Sequence, residues 1–303
     1  MTGNTLGWVI VAFVLYLLMM IAIGAFYAKG NNNSEDYFLG GRKLNGFVAA
    51  LSAQASDMSG WLLMGLPGAI YLTGVGGDGW IAIGLFIGTT LNWLFIATKL
   101  RRYTIRANNS VTLPTYFENR FHDEKKVLMT VSSITIVVFF LVYCASALSA
   151  GGQLFESVFG IDYHVALTIG ALVVLVYTFL GGFTAVCVTD FIQGMLMLVG
   201  ILAVPLFAYH FLTTGGTTLS AGLEASGADS ANFLNLMKNG DGSNNIISVI
   251  SGLGWGLGYF GMPHILVRFM AVRDEKEMTK SKATAISWVA LSLGFAVFIG
   301  ILG

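Results

Sequence analysis

The sequence predicts an all-α protein that passes a membrane many times. Three observations carry this. The 303 residues are 55% hydrophobic and only 11% charged, with a mean hydropathy of +0.75. The apolar residues gather into runs of about 20, the length that crosses a hydrocarbon core of about 30 Å. Glycine is frequent, with 38 residues against 4 prolines, and small residues let membrane helices approach closely.

The runs fall at 6–28, 46–72, 80–98, 127–151, 163–181, 186–211, 246–267 and 285–303. The first is too long for the core of a signal peptide and no Lys or Arg precedes it, so it is a retained span. The last reaches Gly303 with no polar flank, which suggests that the chain is a fragment. Loops 29–45, 99–126 and 268–284 hold 15 of the 16 Lys and Arg residues, and Lys238 alone lies in the others. Basic loops stay in the cytoplasm, so the N-terminus is expected outside, in a multi-pass cell-membrane (inner-membrane) protein. Loop 212–245 is then external, with a short helix expected over 233–237.

Polar residues interrupt the second run. Ser52, Gln54, Ser56, Asp57 and Ser59 lie near its middle, beside Gly60. A carboxylate at mid-membrane costs about 2.5–3.5 kcal/mol, so it sits in a polar interior and usually has a task. Oxygen-rich side chains beside a glycine suit a hard cation. Ser56 to Gly60 would cover every face of a regular helix. A locally unwound helix satisfies them better, its carbonyls and hydroxyls pointing into one cavity. The plainer alternative is a buried Asp57 bonded to a neighbouring span.

The seventh run is interrupted too. Gly252 to His264 contains five glycines and Pro263, which predicts a broken or kinked helix. Trp255 and Tyr259 are four apart and share a face if the segment stays helical, where they could line and close a pocket. Glycine packing with aromatic gap-filling is the plainer alternative. A pair of interrupted runs marks the binding site of many transporters. These two lie five spans apart and run in opposite senses, which fits a five-plus-five inverted repeat starting at the second span. The expected organisation is an extra span and loop at 1–45, a first repeat at 46–211, the external loop 212–245, and the start of a second repeat at 246–303.

Other features are weaker. Asp190 opens the sixth run, where a helix cap or an ion-exit residue fits, the cap better. Tyr143 is mid-span, and Gly84-Leu-Phe-Ile-Gly88 is a helix-packing pattern. Cys144 and Cys187 lie in apolar runs and are expected as small buried side chains. The four histidines show no metal spacing, and no nucleophile motif, P-loop or zinc motif is present, so an enzyme is not expected. Gly256-Leu-Gly-Tyr-Phe-Gly261 matches a dinucleotide fingerprint but follows no strand and is set aside. A net charge of zero excludes nucleic acid as an expected partner.

Three motifs make the chain resemble the sodium:solute symporter family, in its proline-transporting branch. They are Asp36 to Arg42, Ser52 to Gly68, and Gly254 to Ala271. The resemblance implies a LeuT-type fold with one extra span in front. It implies sodium held by the carbonyls of Ala55 and Met58, with Asp57 important for sodium coupling. Arg42 and Asp190 match charged positions tied to coupling or ion release. Tyr143, Trp255, Tyr259 and Pro263 match positions for substrate binding and gating, and Ser56 lies among them. The implied activity is sodium-coupled import of L-proline, with sodium and no other cofactor. A channel would need a continuous polar pore face, which the breaks argue against. A sensory membrane domain ahead of a signalling kinase is a further alternative, as is a symporter for another small solute.

Overall fold

The computed structural model describes residues 3–30 and 32–303, with side chains from residue 7 onward. Helix α1 (Gly3–Ala28) is the first span. The loop after it is partly helical: α2 (Ser34–Leu39) starts at Asn33, whose side chain accepts from the Asp36 N–H. Helix α3 (Gly46–Gly60), a π-helical turn (Trp61–Gly65) and α4 (Leu66–Thr73) together form the second span. Helix α5 (Val75–Leu91), a π-helical turn (Asn92–Ala97) and α6 (Thr98–Arg106) make one 32-residue rod. The third span is therefore longer at both ends than its apolar run, and Arg101, Arg102 and Arg106 are helical. Helix α7 (Leu113–Phe121) opens with a Thr112 capping box. Helix α8 (Val127–Phe159) follows.

Helix α9 (Tyr163–Thr214) merges the fifth and sixth runs into 52 residues. At 1.5 Å per residue this is about 78 Å, more than two bilayer cores. The two runs are divided at Gly182, which has φ 61° and ψ −157°, a conformation that suits glycine. Both halves pack on α1: Gly24 meets the Tyr177 backbone, and Gln193 donates to the Tyr16 hydroxyl. The loop after α9 carries α10 (Leu219–Ala225) and α11 (Ser230–Phe233), the latter capped by Asp229. The short helix thus precedes the segment 233–237, because Asp229 supplies an N-cap. Helices α12 (Ile246–Trp255) and α13 (Pro263–Ala271) flank a 3₁₀ turn (Gly256–Phe260). The two parts of this seventh span are bent by 45°. Helix α14 (Glu275–Leu302) is capped by Asp274.

Among the described residues five helices are long and apolar enough to cross a membrane, and the bent pair makes a sixth if it is one span. Helix α9 covers two of the expected runs, and the broken α3–α4 covers another.

The packed core lies among α3, α5, α13 and α14, where Trp93 and Phe269 are fully buried with ring centroids 4.3 Å apart. Helices α5 and α12 touch backbone to backbone. A Cβ on Gly84 would come 2.2 Å from the Gly252 carbonyl oxygen, and one on Gly88 2.2 Å from that of Gly256. The Gly84–Gly88 pattern is therefore a packing face, as expected. At the foot of the bundle Leu44 and Val272 form a parallel β-bridge, with hydrogen bonds Leu44 N–H to Ala271 O and Arg273 N–H to Leu44 O. Much of α8 presents apolar side chains outward, including Ile134, Val138 and Leu141. Cys144 lies on this outer face, not in the interior, whereas Cys187 is buried as expected.

Candidate ion and substrate site at two helix breaks

The second span breaks at Ser59, with φ 43° and ψ −158°. A non-glycine residue there is strained, and such strain gathers at functional sites. The break turns the chain so that the Trp61 N–H donates to the Met58 carbonyl. The carbonyls of Ser56 and Asp57 face α8, where the Tyr143 hydroxyl donates to them at 3.1 and 3.5 Å. The Asp57 carboxylate faces the other break. The Tyr259 hydroxyl donates to its Oδ2 at 2.6 Å, and His264 Nε2 lies 3.8 Å from Oδ1. The His264 ring stacks on Tyr143 at 5.6 Å. The two broken spans are thus joined through Asp57.

A second cluster lies on another face of α3. Arg268 of α13 pairs with Asp190 of α9 at 2.9 Å. Ser52 and Ser56, one turn apart, donate to Asp190 Oδ2 at 2.7 and 3.0 Å and accept from Arg268 at 2.9 and 2.7 Å. Arg268 also donates to the His264 carbonyl. All four residues are largely removed from solvent. The expectation of a single cavity for Ser56 to Gly60 is therefore corrected. The helix satisfies its polar faces separately, Asp57 toward Tyr259 and the two serines toward the ion pair.

Two further expectations change. Asp190 is no helix cap: it lies inside α9, beyond the Gly182 break, and is buried against Arg268. Trp255 and Tyr259 do not share a face. The 3₁₀ turn between them advances 120° per residue, so four residues leave them about 120° apart. Tyr259 is buried on Asp57, while Trp255 is half-exposed and stacks on Trp61 at 5.9 Å.

Arg42 is not at the breaks. It is buried at the foot of the bundle, where it donates to the carbonyls of Met270 and Ser110 at 2.8 Å each. Burial pulls its guanidinium below the ordinary arginine value, and the nearby Glu35 offsets part of this. Pro263 opens α13 and lines, with Phe140, Phe183, His264 and Arg268, a cavity of about 890 Å³ beside the breaks. Ala55 lies against Gly194 of α9, and the Met58 side chain is buried.

Arg268 and Ser52 were not read as site residues from the sequence. Arg268 was counted with a basic loop, although Ile265-Leu-Val before it and Phe269-Met-Ala after it are apolar, a signal of a buried arginine. Among the described residues no three His, Cys, Asp or Glu side chains come together to hold a metal ion. The oxygens at the breaks are carbonyls, hydroxyls and one carboxylate, a donor set for a hard cation.

The sodium:solute symporter family model matches residues 37–303. The chain is 45% identical over 294 residues to the sodium/proline symporter of Salmonella typhimurium, covering 97% of this chain and 57% of that protein. It is 46% identical over 294 residues to that of Haemophilus influenzae, covering 96% of this chain and 57% of that one. It therefore spans somewhat over half the length of these relatives. A solved structure of a Na+-coupled sialic acid symporter, in a substrate-bound outward-open state, superposes with a TM-score of 0.77 over 95% of this chain and 59% of that chain, at 21% identity. The fold is thus the LeuT-type bundle of inverted repeats behind one extra span. With its two broken spans meeting at Asp57 and its match from residue 37 onward, the chain belongs to the sodium:solute symporter family.

Proposed function

We propose that the protein imports L-proline with sodium by alternating access. The observation that carries this reading is the meeting of two helix breaks at the Asp57 carboxylate, 2.6 Å from the Tyr259 hydroxyl. Support for the choice of ligands comes from the relatives, which are named sodium/proline symporters.

In this reading the carbonyls of Ala55 and Met58 hold sodium, and Asp57 sets the charge of the site. Sodium binding favours an outward-open state and completes a proline pocket. Proline is small and zwitterionic. Unwound backbone holds its carboxylate and Trp255, Tyr259 and Pro263 cover its ring, while Tyr143 and Ser56 brace the broken span behind the pocket. Arg42 and Asp190 act in coupling or ion release. The N-terminus lies outside the cell membrane, the first repeat covers 46–211, and 246–303 belongs to the second. One charge moving through 100 mV supplies about 2.3 kcal/mol. That alone allows more than tenfold accumulation, since tenfold corresponds to about 1.4 kcal/mol.

The test is uptake of labelled L-proline by cells that lack their own proline transport and express the protein. Uptake should rise with sodium and fall when unlabelled proline competes. Proline uptake that ignores sodium would overturn sodium coupling, and sodium-stimulated uptake of another solute in preference to proline would overturn the substrate.

A further inference from the structure

The carbonyl of Tyr259 stands at the break of the seventh span. In an α-helix its donor would be the N–H four residues on. That residue is Pro263, which has no N–H. Among the described residues no backbone N–H reaches this carbonyl. Tyr259 is buried, and a buried carbonyl without a donor is costly enough to be rare. The missing donor comes from another span: Asn92 Nδ2 donates to the Tyr259 carbonyl at 2.8 Å.

Asn92 is well placed for this. It is 1% exposed and is the first residue of the π-helical turn after α5. Such turns recur at functional sites. One turn earlier, Gly88 lies against Gly256, so α5 is pressed onto the break itself. The same Tyr259 whose carbonyl Asn92 holds directs its hydroxyl to Asp57. A connected path runs from Asn92 through Tyr259 to the carboxylate.

We propose that Asn92 is a positioning residue for the ion site. It supplies the hydrogen bond that Pro263 removes, fixes the backbone at Tyr259, and so sets the tyrosine hydroxyl on Asp57. It touches neither ion nor substrate. The part that concerns sodium rests on the functional reading above; the capping of Tyr259 does not.

Two measurements test it. The first is thermal unfolding of the purified wild type, Asn92→Leu, Pro263→Ala and the double variant. Leucine keeps the shape of asparagine and loses the donor. Alanine at 263 restores an N–H four residues after Tyr259. Asn92→Leu should lower the midpoint, and the loss should shrink by about half or more in the Pro263→Ala background, as for groups sharing one partner. If Asn92→Leu fails to accumulate, accumulation of the double variant is the same result. Equal losses in both backgrounds, or failure of both variants alike, would overturn the cap.

The second measurement is the sodium dependence of proline uptake. Asn92→Leu should raise the half-saturating sodium concentration about tenfold, the weight of one buried hydrogen bond. A merely structural residue would lower the maximal rate with protein amount and leave sodium half-saturation in place, and that outcome would overturn the positioning role. A wild type without sodium-stimulated uptake would strike the functional reading, and the unfolding cycle would still decide the cap.

Discussion

Replacing Arg268 with Met keeps much of the side-chain volume and removes the guanidinium. Asp190 then stays buried with only the Ser52 and Ser56 hydroxyls as donors. Removing one partner of a buried ion pair costs about 3–5 kcal/mol. The reverse change, Asp190→Leu, strands the Arg268 guanidinium, which keeps the two serine oxygens and the His264 carbonyl as acceptors. Its cost should lie near the lower end, about 3 kcal/mol. The double variant buries no charge, and the serine hydroxyls can turn to carbonyls one turn back in α3, so it should cost about 1–2 kcal/mol. The singles then exceed the double by about 4 kcal/mol or more when added, a coupling above the usual range of about 0.5–3 kcal/mol for contacting residues. Denaturant titration of the four purified proteins in detergent measures this. Losses that add to within about 0.5 kcal/mol would refute the argument, because independent sites behave that way.

Asp57→Asn should sharply raise the sodium needed for proline uptake, because it removes the carboxylate from the broken second span; unchanged sodium dependence would make Asp57 a structural residue. Trp255→Ala should weaken apparent proline affinity more than it lowers protein amount, since Trp255 packs on Trp61 at the edge of the breaks and is half-exposed. Gly88→Ala should destabilise the fold by about 1–3 kcal/mol through overpacking, because its Cβ would meet the Gly256 carbonyl oxygen at 2.2 Å. Gly254→Ala is the control, with nothing within 4 Å of the added methyl, and equal losses at both would contradict the packing. In a background lacking Cys144 and Cys187, Ser226→Cys should react with an impermeant thiol reagent added outside cells, and Glu124→Cys should not. Reversed labelling would invert the orientation.

The spans were legible because a bilayer imposes a length and a composition on any segment that crosses it. The break in the seventh run was legible from its glycines and Pro263; the one at Ser59 was legible only as a polar interruption, because the helix before it satisfies Ser56 and Asp57 on separate faces. What the sequence hides is pairing. Arg268 looks like a loop residue until Asp190, on another span, is brought beside it. Ser56 and Asp57 are chain neighbours, yet they serve two clusters on different faces of α3. The fifth and sixth spans read as separate helices, and only the backbone reveals that Gly182 alone divides them. Cys144 reads as buried because lipid-facing and protein-facing positions are equally apolar. Hydropathy cannot tell them apart.

The two halves of the seventh span are fastened at different heights to the rod of α5 and α6, the second half through Phe269 on Trp93 and through Arg101, which donates to the Val272 carbonyl. The first half, α12 and its 3₁₀ turn, is locked to α5 at Gly84 and Gly88, where backbones meet with no side chain to yield. The second half, α13, ends at the Leu44–Val272 bridge, which ties it to the foot of α3, and Arg42 grips the Met270 carbonyl there as well. Between the two helical pieces lie only Gly261 and Met262. A change in the 45° bend between the two pieces would therefore fall on these two residues while both ends stay held against the same rod, like a hinge in the middle of a strap. Such a joint turns without stretching the rods on either side, and the Asp57 contact with Tyr259 sits within one turn of it.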